Sequence, residues 1–446
     1  MSDRDEKTLV AGAGPLAGVG LPDLGFTLGA PLGAIPAVEP VPVAEGTPAS
    51  AEPGEVTGTE PEVAVEVAGE IPSPDLEQTP EERGHELAVR IAHELAEMGP
   101  QGWRELTAVF TLTVELGGGE VLYAGDEDQI LRVAVPDGIL EIAAEHRRVS
   151  AMLGDGPWWR LFMRLDADGQ LEVDYDYGDE PFPDEQLFAP EAYLADLEEF
   201  PRQRLPVWLA AYLFHDGRQT RPATYAAQQA RADRAAGVAA VESHVDLPDL
   251  PTTWVRWTVM SAAFVAVRSE WGPRIMPSFG WFEGSRRSGA TLYLLPRGRA
   301  VLSGGVWDAP ALAAAYQDGA ELPKVYAGAP EWVVDQVLNA RAGSGLLSFC
   351  YWWSDEQWYR GESPGGPDLG EAVPGIWDDD SVEQVIRDLI GAGPDDPRAA
   401  HVGALLTAGF EGDITRAHLL AVFGEEADID AAMNQLTMSG AATVES

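Results

Sequence analysis

Lysine is almost missing from this chain. Of its 29 basic residues only Lys7 and Lys324 are lysines, and 73 acidic residues outweigh them to a formal net charge of -44 over 446 residues. A surface this negative repels phosphate backbones and anionic membranes, and it attracts basic proteins. The expectation is therefore a protein partner, with no nucleic acid and no membrane. Cysteine is represented once, at Cys350. That excludes an intramolecular disulfide and any cysteine-based metal site. No apolar run reaches the ~18 residues of a membrane span. The longest candidate, Val255 to Val267, is interrupted by Arg256. The first residues, MSDRDEKTLV, lack the basic start and apolar centre of a secretory signal. A soluble, cytoplasmic protein is expected.

What is present divides into five stretches. Residues 1–78 are rich in Gly, Pro, Ala, Val and Glu without a sustained period, and read as a disordered acidic tail. The glycines of AGAGPLAGVG within it lack the flanking strand and helix of a phosphate loop. Thr79-Pro80-Glu81-Glu82 then offers an N-cap, a first-turn proline and early acids for a helix running to about Met98. TAVFTLTVEL, a turn at GGG, EVLYAG and DQILRVAV read as three strands. Pro136 to Leu153 reads as a helix burying Ile139, Ile142, Val149 and Met152. Two short helices are expected at Pro190–Phe200 and Leu205–Leu213. Residues 79–217 thus form an α+β domain, one antiparallel sheet packed with helices. Residues 218–247 carry an Ala- and Arg-rich exposed helix as a linker. A second α+β domain, 248–364, repeats the order: a helix at Thr252–Trp271, strands at Ser278–Glu283, Ala290–Leu295 and Arg299–Ser303, helical segments at Ala309–Gln317 and Pro330–Ala340, then an aromatic hairpin in YWWSDEQWY. Residues 365–446 are a connector followed by a small helical region. Its last helix, Asp428 to Met438, has no basic residue for DNA.

The most determinate stretch is WWRLFMRLDADGQLEVDYDYGDE, Trp158 to Glu180. A three-residue loop at Ala167, Asp168 and Gly169 pairs Leu165 with Leu171, Met163 with Val173 and Leu161 with Tyr175. On the other face Arg164 meets Glu172 and Arg160 meets Asp176. A one-residue slip would set apolar against charged throughout. The pairing turns Tyr175 and Tyr177 toward the core, the alternative to their serving as contact residues, and leaves Asp174 and Asp176 opposite.

Chemistry is otherwise sparse. His85 and His93 are eight apart, where a zincin needs a spacing of four. Asp166, Asp168, Gln170 and Glu172 lack the glycine and glutamate positions of a calcium loop and belong to the hairpin turn. Cys350 sits in an apolar strand with no base nearby and reads as structural. Gly343-Ser344-Gly345 lacks the spacing of a nucleophile elbow. No catalytic residue, metal site or cofactor is expected. Acids interleaved with aromatics do suit the docking of a basic protein. The candidate contact residues are Asp174, Asp176, Tyr177, Asp179, Glu180, Asp184 and Glu185, with Trp352, Trp353 and Trp358 as a second contact surface, for which core packing is the alternative.

The run from about Trp103 to Leu213 resembles the YezG-like immunity proteins of bacterial polymorphic toxin systems. The resemblance rests on the early helix, on TAVFTLTVELGGGEVLYAG, on the Trp158–Glu180 hairpin with its acidic, tyrosine-bearing second strand, and on the tryptophan-containing segment LPVWLAAYL. It implies cytoplasmic neutralisation of a toxin, often a nuclease, by tight binding and without catalytic residues; the mechanism expected from the acidic, aromatic face is occlusion of a basic active-site cleft. The second domain and the C-terminal region go beyond that family's pattern. Two alternatives use the same residues: a scaffold or secretion-accessory protein binding a non-toxic client, and a hydrolase using paired carboxylates.

Overall fold

In a computed structural model, the structure describes residues 78–125, 129–154, 156–284, 286–393 and 395–442. The expected tail, 1–78, lies outside these residues except for Gln78. The chain is of the α+β class, with eleven α-helices and two antiparallel sheets among the described residues.

The first lobe begins with α1 (Pro80–Met98). Thr79 and Glu82 form a reciprocal capping box, and Leu87, Ile91 and Leu95 make the buried stripe. β1 (Glu105–Leu112), β2 (Gly117–Ala124) and β3 (Ile130–Ala134) follow as a meander. The turn falls at Val114-Glu115, ahead of the expected GGG: Thr113 closes it by donating its N–H to the Leu116 carbonyl at 2.7 Å, so GGG opens β2. α2 (Asp137–Ser150) crosses back, and β4 (Arg160–Asp166) and β5 (Leu171–Asp176) complete the sheet in the order β3-β2-β1-β4-β5. β4 and β5 pair in the register expected, from Leu165 with Leu171 to Arg160 with Asp176. Gly169 takes φ +84° in the loop.

One face of this sheet packs on the two helices through Leu106, Ala108, Phe110, Leu161 and Met163. From α2, Ile139 and Ile142 join that core, but Met152 is 73% exposed. Its expected place is taken by two polar groups nearer the sheet, His146 and Arg147, both buried. Arg147 donates to the Trp158 carbonyl at 2.7 Å and to Asp196 Oδ2 at 2.7 Å. Asp196 also accepts from Trp159 Nε1 at 3.0 Å and from the Val114 amide at 3.0 Å. One fully buried carboxylate thus ties α2, the β1–β2 turn and the start of β4 to α3 (Pro190–Glu199).

α4 (Val207–Phe214) leads to α5 (Ala223–Ala236). The latter is not a free linker: Ala226 and Ala230 are buried, and Asp233 accepts from the Gly328 amide at 3.1 Å. The second lobe contains β6 (Val241–Ser243), α6 (Leu250–Ala266), β7 (Gly272–Met276), β8 (Phe279–Glu283), β9 (Gly289–Leu295), β10 (Arg299–Gly305), α7 (Pro310–Gln317), β11 (Phe349–Ser354) and β12 (Gln357–Arg360). α6 stops five residues before Trp271. Arg268 enters the left-handed region at φ +57°, and the Ser269 amide reaches back to the Phe264 carbonyl at 3.0 Å. Pro330–Ala340 is not a helix. Short 3-10 turns occupy Glu331–Val334 and Ala340–Ala342, and the Asn339 amide clamps the intervening turn by donating to the Val333 and Asp335 carbonyls.

The second sheet runs β6-β12-β11-β10-β9-β8-β7. Its order along the chain resembles that of the first lobe, but its pairing does not. In the first lobe the strand after the crossing helix, β4, pairs with the first strand, β1. In the second, β11 pairs with β10, the strand just before the helix. The lobes are therefore not copies of one topology.

The C-terminal helices, α8 (Asp379–Leu389), α9 (Ala399–Glu411), α10 (Arg416–Phe423) and α11 (Ile429–Ser439), share a core with α6 and the second sheet. The connector joins it too, through buried Leu369, Val373 and Ile376. The lobes meet where Val207, Ala210 and Ala211 of α4 pack on Leu312 and Tyr316 of α7. Two glutamines act there as backbone surrogates. Gln317 accepts from the Leu205 amide at 2.8 Å and donates to its carbonyl at 3.0 Å. Gln219 does the same for Leu347 at 2.9 and 2.7 Å. No helix of the described residues is long and apolar enough to cross a membrane.

Candidate functional site

β5 is the edge strand of the first sheet, and its side chains alternate. Glu172, Asp174 and Asp176 share one face; Leu171, Val173 and Tyr175 share the other. The three acids are not equivalent. Asp176 is spent on structure: it accepts from Arg160 Nε at 2.8 Å and from the Gly178 amide at 2.7 Å. Arg160 also donates to Gln186 Oε1 at 2.9 Å and stacks on Phe162 and Phe182. Arg164 prefers Glu105 of β1, at 2.7 Å, and lies 3.9 Å from its expected partner Glu172. Asp174 is exposed and accepts from the Tyr175 amide at 2.9 Å.

The chain beyond β5 is pinned by a small aromatic core of Trp159, Phe182, Tyr193, Trp208 and Leu209. Trp208 Nε1 donates to the Gly178 carbonyl at 2.7 Å, and Tyr212 Oη donates to the Phe188 carbonyl at 3.0 Å. Gly178 itself has φ +84°, and a β-carbon there would lie 3.1 Å from the Trp159 ring. These anchors turn Asp179, Glu180, Asp184 and Glu185 outward, and all four are exposed. Asp174, Asp179, Asp184 and Glu185 make no ion pair among the described residues; Glu180 lies 3.9 Å from Arg286.

The tyrosines end up between the two expectations. Tyr175 lies on the core side but at its margin, 39% exposed, and Tyr177 is 40% exposed. Tyr175 stacks on His146 with ring centroids 5.7 Å apart, and its hydroxyl is 3.4 Å from Nε2. Burial pushes His146 down to about 4. Tyr177 opens onto a cleft of about 680 Å³ between the lobes. Trp307, Asp179 and Asp308 also line this cleft, which nothing in the sequence foretold because its walls come from segments over a hundred residues apart.

The second proposed surface is corrected by the structure. Trp352, Trp353 and Trp358 are all buried, Trp352 against the α5 side of the second sheet and the other two in the α6 core. Their strands pair as a hairpin whose turn, Asp355-Glu356, has positive φ at both positions. With both faces of β11 and β12 covered, none of these three tryptophans points outward. Cys350 lies in the same strand, fully buried, and its thiol is pushed well up by desolvation. Among the described residues no cluster of His, Cys, Asp and Glu is arranged to hold a metal ion. Asp179 and Asp308 share a cleft, as a hydrolase pair would, but both are solvent-exposed.

A scan for known protein families finds no match to this chain, and a search among curated proteins finds none either.

Proposed function

We propose that this chain is a non-enzymatic immunity protein of the cytoplasm, which binds a basic toxin and occludes its active site. The docking surface is the acidic margin formed by β5 and the segment through Glu185, bordered by Tyr175 and Tyr177. The observation that carries the reading is a division of labour among carboxylates. Asp176, Glu105 and Asp196 are consumed by arginines of the same lobe. Asp174, Asp179, Asp184 and Glu185 are exposed and make no ion pair among the described residues. Outward acids steer a basic partner and set the register of docking, while half-exposed tyrosines supply contact area at small entropic cost. The resemblance of residues 103–213 to YezG-like immunity proteins points the same way.

The test is co-expression with the toxin-domain protein encoded beside this gene. Restored growth, together with a complex that survives gel filtration, is the expected result. A chain that neither rescues growth from any such neighbour nor binds it is not an immunity protein. Tight binding to a harmless neighbour would instead favour the scaffold reading.

A further inference from the structure

The backbone of β5 has a free side. Asp176 accepts from the Trp159 amide at 3.0 Å, and Gln170 accepts from the Asp166 amide at 3.2 Å. Even-numbered residues therefore face β4, and Leu171, Val173 and Tyr175 direct their N–H and C=O groups away from it. β5 ends the sheet, so no strand pairs with these groups among the described residues. One of the outward donors is covered, the Tyr175 N–H by the carboxylate of Asp174 at 2.9 Å. An uncovered edge of this kind is a template for another strand.

We infer that β5 is a strand-addition site whose occupant is an extended segment of a protein partner with basic side chains at every second position. The inference rests on the reading of the acidic margin as the docking surface and specifies how the partner is held. Glu172 and Asp174 stand on one face about 6.7 Å apart, the two-residue repeat of a strand. An added strand sets alternate side chains beside this row and the intervening ones beside Leu171, Val173 and Tyr175. Asp174 works as an exchangeable cap. A partner carbonyl taking the Tyr175 N–H releases the carboxylate to meet a cation. The opposite edge, β3, also has no outer strand among the described residues, but its residues Ile130–Ala134 include no acid, and Arg132 is held by Glu120. A basic segment has no charge to meet along that strand.

Val173→Pro tests the inference, because it deletes an outward N–H and no bond to β4, and edge strands accept proline. The probe is a fluorescein-labelled nonapeptide alternating lysine and valine, with two N-methylated versions, one for each set of alternate residues. Binding should weaken at least about fivefold in Val173→Pro and with one N-methylated set only. Circular dichroism reports whether the variant folds; if it does not, the N-methylated pair measured on the wild-type protein decides. Binding that ignores both, yet weakens when Asp174, Asp179 and Glu180 are neutralised, overturns strand addition and leaves the acidic surface standing. Binding that ignores all of these removes the surface reading as well. In β3 the odd-numbered residues bond β2 and the even-numbered ones face outward, so loss in Ala134→Pro but not in Val173→Pro would place the partner on β3.

Discussion

Acidification should loosen the first lobe through His146. Its ring is 2% exposed, and Nδ1 accepts the Trp158 indole N–H at 3.1 Å. Because an indole can only donate, Nδ1 carries no proton, and the neutral ring's hydrogen sits on Nε2, toward the Tyr175 hydroxyl. A second proton would break the Trp158 bond and place two N–H groups face to face in a desolvated site. The folded value accordingly falls to about 4, from an ordinary value of 6.5. Between those pH values the unfolded chain binds a proton that the folded chain refuses. The stabilisation is therefore complete above pH 6.5 and is lost as pH falls toward 4. At roughly 1.4 kcal/mol per pH unit, the gap is worth about 3 kcal/mol. Carboxylates titrate in the lower part of this window, so the comparison is with His146→Gln, which can still accept from Trp158 but does not titrate. Urea denaturation at intervals from pH 7 to 4 should show the wild type losing about 3 kcal/mol more than the variant. A wild-type-minus-variant difference that stays constant with pH would refute the argument. Since Tyr175 stacks on this ring, the same acidification should free the end of β5.

Three further perturbations follow from the packing. Asp196→Ala leaves Arg147 buried without its anion and should cost about 3–5 kcal/mol in denaturant titrations; a loss below about 1 kcal/mol would mean the staple is dispensable. Gln317→Leu strips both partners from the Leu205 backbone and should cost about 1–3 kcal/mol, seen in calorimetry as a lower or divided melting transition; an unchanged melt contradicts its role at the seam. Gly178→Ala, strained by its positive φ and crowding Trp159, should cost about 1–2 kcal/mol and weaken partner binding by misplacing Asp179 and Glu180. Unchanged stability and binding would show that this turn does not aim the acids.

What could be read from the sequence was local. The β4–β5 register followed from matched side chains across a short loop, and α1 from its cap and proline. The site's acids were visible for the same reason, as was the engagement of Asp176 by Arg160. What could not be read depends on segments distant along the chain. The burial of Trp352, Trp353 and Trp358 requires knowing that both faces of the second sheet are covered, and alternation within YWWSDEQWY does not say so. His146 and Arg147 carry no apolar signal, so a hydrophobic stripe passes over them in favour of Met152. The different pairing of β11 and β4 is likewise a choice among distant partners that element order leaves open. The cleft at Tyr177 and Trp307 exists only because α4 and α7 meet.

On the proposed reading, outward carboxylates beyond the structural pairs hold a basic protein partner. The most direct measurement is the affinity of the proposed toxin partner for the wild type and for a variant with Asp174, Asp179, Asp184 and Glu185 changed to Asn or Gln, titrated from low to high salt. Tight wild-type binding that weakens steeply with salt is expected, with weaker variant binding and a flatter dependence. Equal affinities with parallel salt dependence would contradict that reading.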